Sequence, residues 1–379
     1  MRSNHLFKII TVAAVLCLIS AGCGSSRLET GTAAGTETAA VSENENEESA
    51  GDEEGLTRYS AQFLGVFDTV TSVIGYSADE ETFSAYMQEL QDELKIYHQL
   101  FDIYNDYEDI NNIKTINDNA GIAPVVVDEK IIGMLEEAKS LYELTGGKMN
   151  VAMGSVLSIW HEYRQEGIDD PLHSKLPSMD ELEAAAAHTD ISQMIIDTEA
   201  STVYLEDPEM SLDVGSIAKG YAVEMVCRKL EEEGLSHTLV SVGGNIRAIG
   251  DKPGNIPWAV GIQNPDIHSD QEYLHRVQIN NQSLVTSGVY QRYYTVDGKQ
   301  YHHIISPDTL MPLDEFKSVT ILCADSGMAD CLSTAVFNMT LEEGQAFIES
   351  MDGVEAMWIC SDDTEVYSSG MQVLMLPDN

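Results

Sequence analysis

Leu212-Asp213-Val214-Gly215-Ser216-Ile217-Ala218-Lys219-Gly220-Tyr221-Ala222 joins a strand-like end, a glycine turn and a helix start in one short run. The helix is expected from about Ser216 to Glu233, with Gly234 as its stop. A chain that turns through glycine into a helix offers unpaired amides and the positive end of the helix dipole, which suit a diphosphate. Asp213 has the chemistry to accept from a hydroxyl or amino group, and Lys219 can neutralise phosphate charge. An ordinary N-cap, a helix lysine and close packing at glycine would account for the same letters, so this run alone leaves structure and chemistry both open.

Downstream segments bear on that choice. Ser241-Val242-Gly243-Gly244-Asn245 sets two glycines inside a strand pattern running from Leu239 to Ile249, where a bulge or the close approach of a ligand or another backbone is expected. Thr286-Ser287-Gly288, then Tyr290 and Arg292, supplies hydroxyls, a flexible joint and a cation. Tyr301-His302-His303-Ile304-Ile305-Ser306-Pro307 carries paired histidines on a strand. Alternation sends them to opposite faces, so only one can point into a given site, and a structural role is the plainer reading for either. In Ala329-Asp330-Cys331-Leu332-Ser333-Thr334-Ala335, helical spacing puts Asp330 and Thr334 on one face. A carboxylate and a hydroxyl without imidazole or thiolate suit a hard cation such as magnesium, which keeps waters and takes substrate phosphate as further ligands. Helix capping by Asp330 is the alternative, weakened by its interior position.

Around these segments the pattern is mixed α/β. Gln62 to Tyr76 reads as a strand, and Ser77-Ala78-Asp79-Glu80 as a capping-box helix opening. Phe83, Met87, Leu90, Leu94 and Tyr97 form a helical stripe; so do Ile131, Ile132, Leu135, Ala138 and Leu141 in a helix from Asp128 to Leu144, which Gly146-Gly147 ends. Met194 to Leu205 reads as two short strands around a turn at Glu199-Ala200-Ser201. Further strands are expected at Trp258 to Gln263, Tyr273 to Val285, Tyr290 to Val296, Tyr301 to Ile305 and Lys317 to Leu322. Helices Asp325 to Asn338 and Leu341 to Met351 precede terminal strands Ala356 to Cys360 and Met371 to Met375. Largely antiparallel sheets with packed helices follow from the tight turns.

Composition sets outer limits. The 379 residues, 43% hydrophobic, allow a large core, and a formal net charge of -43 repels a phosphate backbone, which excludes nucleic acid as a partner. Arg2, His5 and Lys8 precede an apolar run, Ile9 to Ile19, of signal-peptide length. Ser20-Ala21-Gly22-Cys23 then resembles the bacterial lipobox, with Ser20 where leucine is usual, and makes residues 1–22 a signal peptide and Cys23 the lipidated new N-terminus; cleavage near Ala21 without lipid is the alternative. Leu28 to Glu54 lacks aromatic and basic residues, so residues 23–58 read as a lipidated, disordered acidic tether and 59–379 as the folded domain, beginning near Tyr59. An extracytoplasmic, membrane-anchored location follows. Cys227, Cys323, Cys331 and Cys360 lack zinc-ligand spacing; disulfides and buried thiols both remain open.

Taken together and in order, the Asp-x-Gly-x-Ile-Ala-Lys-Gly-Tyr-Ala, Gly-Gly-Asn, Thr-Ser-Gly, His-Ile-Ile-x-Pro and Ala-Asp-x-Leu-Ser-Thr blocks resemble the FAD:protein FMN transferase (ApbE) family, from about Phe67 to Phe337. The resemblance implies a T-fold-like single catalytic domain that takes FAD as substrate. With Mg2+ it would transfer FMN to a Thr or Ser hydroxyl of an exported flavoprotein and release AMP. By the same resemblance Tyr104, Met149, Asn150, Val151, Asp213, Lys219 and Ile304 would contact FAD. The Ser216 carbonyl, Asp330 and Thr334 would hold magnesium, and His303 would be the base. Phe67-Asp68-Thr69 stands where the family usually has Met-Gly-Thr, Met149-Asn150 where it has Phe-Asp, and Ser306 where it has Asp. Two other functions use overlapping features: an FAD pyrophosphatase giving FMN and AMP, and a non-catalytic flavin- or solute-binding lipoprotein.

Overall fold

The computed structural model describes residues 55–290 and 292–377; the signal segment, Cys23 and nearly all of the acidic tether lie outside the described residues. Its centre is an eight-stranded sheet in which every neighbouring pair is antiparallel and spatial order follows chain order. The strands are Thr57–Val66, Thr69–Ser77, Thr238–Val242, Asn245–Ile249, Ser283–Gly288, Phe316–Cys323, Glu355–Cys360 and Glu365–Tyr367. Helices are inserted after the second strand and again after the sixth. Two strands, helices and two strands thus occur twice along the chain, the mixed, largely antiparallel architecture expected.

Period-two alternation loads both sheet faces. Val73, Val240 and Val242 pack with the long helix Glu80–Phe101, with Glu129–Leu144 and with Ala218–Glu232, hereafter the Lys219 helix. Their neighbours Ile74, Leu239 and Ile246 face the other way, onto a hairpin of Trp258–Gln263 and Tyr273–Ile279. Val285, Val319 and Ile321 receive Ala329, Leu332 and Val336 of the helix Ser326–Phe337, hereafter the Asp330 helix. The two expected apolar stripes are buried.

Several boundaries differ from the sequence reading. Gln62 to Tyr76 is two strands, because Phe67 and Asp68 both take positive φ, 51° and 52°, and close a two-residue hairpin. Leu239 to Ile249 divides likewise at Gly243 and Gly244, φ 51° and 89°; the pair is a hairpin turn and not a bulge. A Cβ on Gly243 would come within 2.5 Å of Thr69 Oγ1, so the two turns pack side by side at one end of the sheet. Tyr273 to Val285 is broken at Asn281, φ 44°, into Tyr273–Ile279 and Ser283–Gly288. The first helix is capped by Asp79, which accepts from the Thr82 amide, and not by Ser77. The Lys219 helix starts at Ala218, so Ser216 belongs to the loop before it. Met371–Leu374 is a short helix where a strand was expected, and helices Ile113–Asp118, Gly154–Asp169 and Met179–Ala186 had no counterpart in the sequence reading. Cys227, Cys323, Cys331 and Cys360 are free thiols.

Candidate functional site

A cleft of about 610 Å³ opens where the Phe67-Asp68 turn, the loop leading into the Lys219 helix, the middle of the Asp330 helix and the His303 segment meet. Its floor depends on Gly220. A Cβ there would lie 2.3 Å from the Ser326 carbonyl oxygen and 2.4 Å from Asp330 Cβ, so only glycine lets the Lys219 and Asp330 helices approach this closely. The Lys219 helix has no side-chain cap of its own at Ile217. Asp330 supplies one from the neighbouring helix: its Oδ2 accepts from the Gly220 amide at 2.8 Å, while Oδ1 lies 3.9 Å from Lys219 Nζ. Lys219 Nζ also donates to Asn245 Oδ1, which ties the helix start to the Gly243-Gly244 hairpin. Asp330 therefore caps not its own helix, which Asp325 caps, but the neighbouring one.

Thr334 and Ser216 line the same cleft as Asp330. Carboxylate, hydroxyl and carbonyl are all hard oxygen donors, and so few of them fit magnesium, whose remaining positions go to water and phosphate. Among the described residues no group of three or more His, Cys, Asp or Glu side chains could enclose a metal by itself. A divalent ion here would depend on its substrate for ligands.

Tyr104 and the helix Gly154–Asp169 form the opposite wall. Asp102 accepts from the Tyr104 amide at 2.6 Å, the Asn105 amide at 3.0 Å and the Tyr107 hydroxyl at 2.8 Å, and so fixes the loop that leaves Tyr104 61% exposed. The His161 ring stands 5.6 Å from it, centroid to centroid. Met149 and Ile304 line the cleft as apolar surface. Asn150 also lines it, but its side chain is engaged in the loop, with Oδ1 accepting from the Ala152 amide and Nδ2 donating to the Thr189 carbonyl. Val151 is fully buried in the core and does not line the cleft; its carbonyl accepts from the Asp213 amide at 2.8 Å and so places Asp213.

The cleft concentrates cations in an acidic chain. Lys148, Arg164, Lys219 and Arg292 all line it, interleaved with the carboxylates of Asp68, Asp102, Glu162, Asp213 and Asp330. Burial pushes the Asp213 carboxyl above its ordinary pKa, opposed by the Gly215 amide at 2.9 Å and by His161 and Arg164. Burial, with Arg292, Arg164 and His302 beside it, holds His303 down to about 3. The neutral His303 ring sets Nδ1 3.3 Å from the Arg292 carbonyl; a proton there leaves the Nε2 lone pair as acceptor. The second histidine is structural: His302 Nε2 donates to the Leu313 carbonyl, and Nδ1 accepts from the Ile304 amide.

His161, Arg164 and Lys148 were missed in the sequence. The available signal was the helical spacing of Val156 and Trp160, both buried, with His161 and Arg164 three residues apart on the polar side.

The ApbE family model matches residues 67–358, and the chain belongs to the ApbE family. It is similar to the FAD:protein FMN transferase of Treponema pallidum, 34% identical over 277 residues that make up 69% of this chain and 74% of that protein. A Klebsiella pneumoniae FAD:protein FMN transferase is 30% identical over 287 residues, 74% of this chain and 86% of that protein. Among solved structures, the ApbE protein of Thermotoga maritima superposes with a TM-score of 0.73 at 25% identity, covering 85% of this chain and all of that one. The flavin transferase ApbE of Vibrio cholerae gives 0.70 at 25% identity, covering 84% and 99%.

Proposed function

We propose that this chain is a magnesium-dependent FAD:protein FMN transferase, moving FMN from FAD to a Thr or Ser hydroxyl of an exported flavoprotein and releasing AMP. Family membership and the curated relatives support the enzyme class. The observation that carries the chemistry is the Asp330 carboxylate seated on the Gly220 amide, in the first turn of the Lys219 helix and inside the cleft. It places an acid, Lys219 and a helix start around one point, where a diphosphate fits.

In this reading the loop at Gly215 and Lys219 hold the diphosphate, Tyr104 and Ile304 hold its aromatic ends, and Asp330, Thr334 and the Ser216 carbonyl hold magnesium. Bound magnesium would supply charge withdrawal from the phosphates and from departing AMP. The acceptor hydroxyl oxygen bonds to the FMN phosphorus as the bond to the AMP oxygen breaks, and its proton passes to His303 Nε2. A ring held near pKa 3 is a weak base. Burial, the larger cause, persists when the cleft is filled, so general-base help is small and positioning carries most of the rate. Cys23 would anchor the enzyme outside the cytoplasm by an N-terminal lipid.

The test is to incubate the purified protein with FAD, Mg2+ and a fragment of a candidate exported flavoprotein. A mass gain on the fragment equal to FMN is expected. Free FMN and AMP would instead indicate the pyrophosphatase, and unchanged FAD a binding lipoprotein.

A further inference from the structure

His161 is held in one protonation form by its neighbour. Arg164 Nη2 donates to His161 Nδ1 at 3.0 Å. A guanidinium has donors only, so Nδ1 is the acceptor and the neutral ring carries its proton on Nε2. Burial and the Arg164 charge keep the imidazole below its ordinary pKa, which preserves that neutral form. The Nε2–H meets no acceptor among the described residues, and the side chain lines the cleft. Beside it, Tyr104 extends the same wall, the two rings tilted by 36°. The wall therefore offers an aromatic surface with one oriented donor at its edge.

We propose that His161 is a specificity-determining residue, donating from Nε2 to a ring carbonyl of the isoalloxazine laid against Tyr104. The assignment rests on the FAD reading above. Trp160, next to His161, stacks on Tyr301 with ring centroids 6.4 Å apart and packs with Ile305, which sets His161 beside the His303 segment of the cleft. A hydroxyl deprotonated there attacks the FMN phosphate, so the nearer heterocycle is FMN's own. Isoalloxazine accepts through two carbonyl oxygens and adenine only through ring nitrogens, so the FMN and AMP arms of the test separate the two. Arg164 is then a positioning residue, acting on the flavin through the histidine tautomer.

The experiment is a titration of the full-length protein with FMN, followed by flavin fluorescence, and with AMP, followed by calorimetry. His161→Phe keeps a ring and removes the donor; His161→Gln restores an N–H near Nε2. Expected is a loss of FMN affinity of about tenfold in the Phe variant, largely recovered in the Gln variant, with AMP affinity unchanged in both. A loss confined to AMP, equal losses in the Phe and Gln variants, or no loss in either would overturn the proposal. Wild-type protein that binds neither FMN nor FAD would remove the FAD reading itself, and this inference with it.

Discussion

Asp330 caps a neighbouring helix and is proposed to hold magnesium, and the substitutions that separate the two roles are simple. Replacing it with alanine removes the acceptor for the Gly220 amide, a cap loss of about 1 kcal/mol, together with the charge proposed for magnesium. Replacing it with asparagine keeps an oxygen for the amide and removes the charge. Asp330→Asn is expected to melt within a degree or so of wild type while losing at least about 100-fold in FMN transfer, read by thermal denaturation and by mass gain on the acceptor. An active Asp330→Asn enzyme would defeat the metal assignment. Glu137 gives a pH prediction. Burial, with Asp325 and Glu224 nearby and only Arg228 opposing them, lifts its carboxyl to about 7. The folded state therefore binds the proton more tightly than the unfolded chain, and this contribution is full below the ordinary carboxylate pKa and lost as pH rises through 7. Glu137→Gln should raise the melting temperature at pH 8 and leave it unchanged at pH 3.5, below the ordinary carboxylate pKa. Asp330 and Lys219 were marked in the sequence by residue type and spacing, and His303 only by the family resemblance; all three line the cleft. His161 and Arg164 were not, because a histidine and an arginine on a polar helix face look like solvated surface.

The site is set by how elements approach, and glycines regulate that approach. Gly220 lies under the Ser326 carbonyl, so Gly220→Ala must push the Lys219 and Asp330 helices apart. A cost of about 1–3 kcal/mol in urea unfolding is expected, with a greater proportional loss of transfer activity than of stability, since Asp330 leaves the helix start. Unchanged unfolding would show that the helices tolerate the separation. Gly243→Ala meets Thr69 Oγ1 at 2.5 Å and requires a positive φ of alanine, so it should weaken the junction of the two hairpins and loosen Asn245 from Lys219. The helices of the two apolar stripes were recognisable from periodicity alone. The paired hairpins were harder. Phe67-Asp68 has no glycine to announce a turn, and a β-rich run on both sides of it reads as continuous strand.

At the scale of the whole molecule, the proposed export and anchoring lie in residues outside those described and rest on the sequence. Cys23→Ser should move the protein from the membrane pellet to the soluble extracytoplasmic fraction without changing transfer activity in extracts; continued membrane association would defeat the anchor. The sheet itself orders its strands as the chain does, so its antiparallel nature was accessible from turn spacing and alternation. What the sequence determined by itself was local and chemical: the buried stripes, the helix stops, the acidic composition, and the order of motifs that marks the family. What only the tertiary structure decided was proximity. Asp330 and Gly220 are separated by 110 positions and meet at 2.8 Å because a missing side chain lets two helices touch, and Trp160 stacks on Tyr301 because an inserted helix packs on a hairpin from a distant part of the chain. Periodicity records which face of an element is buried, but it contains no term for which other element covers that face.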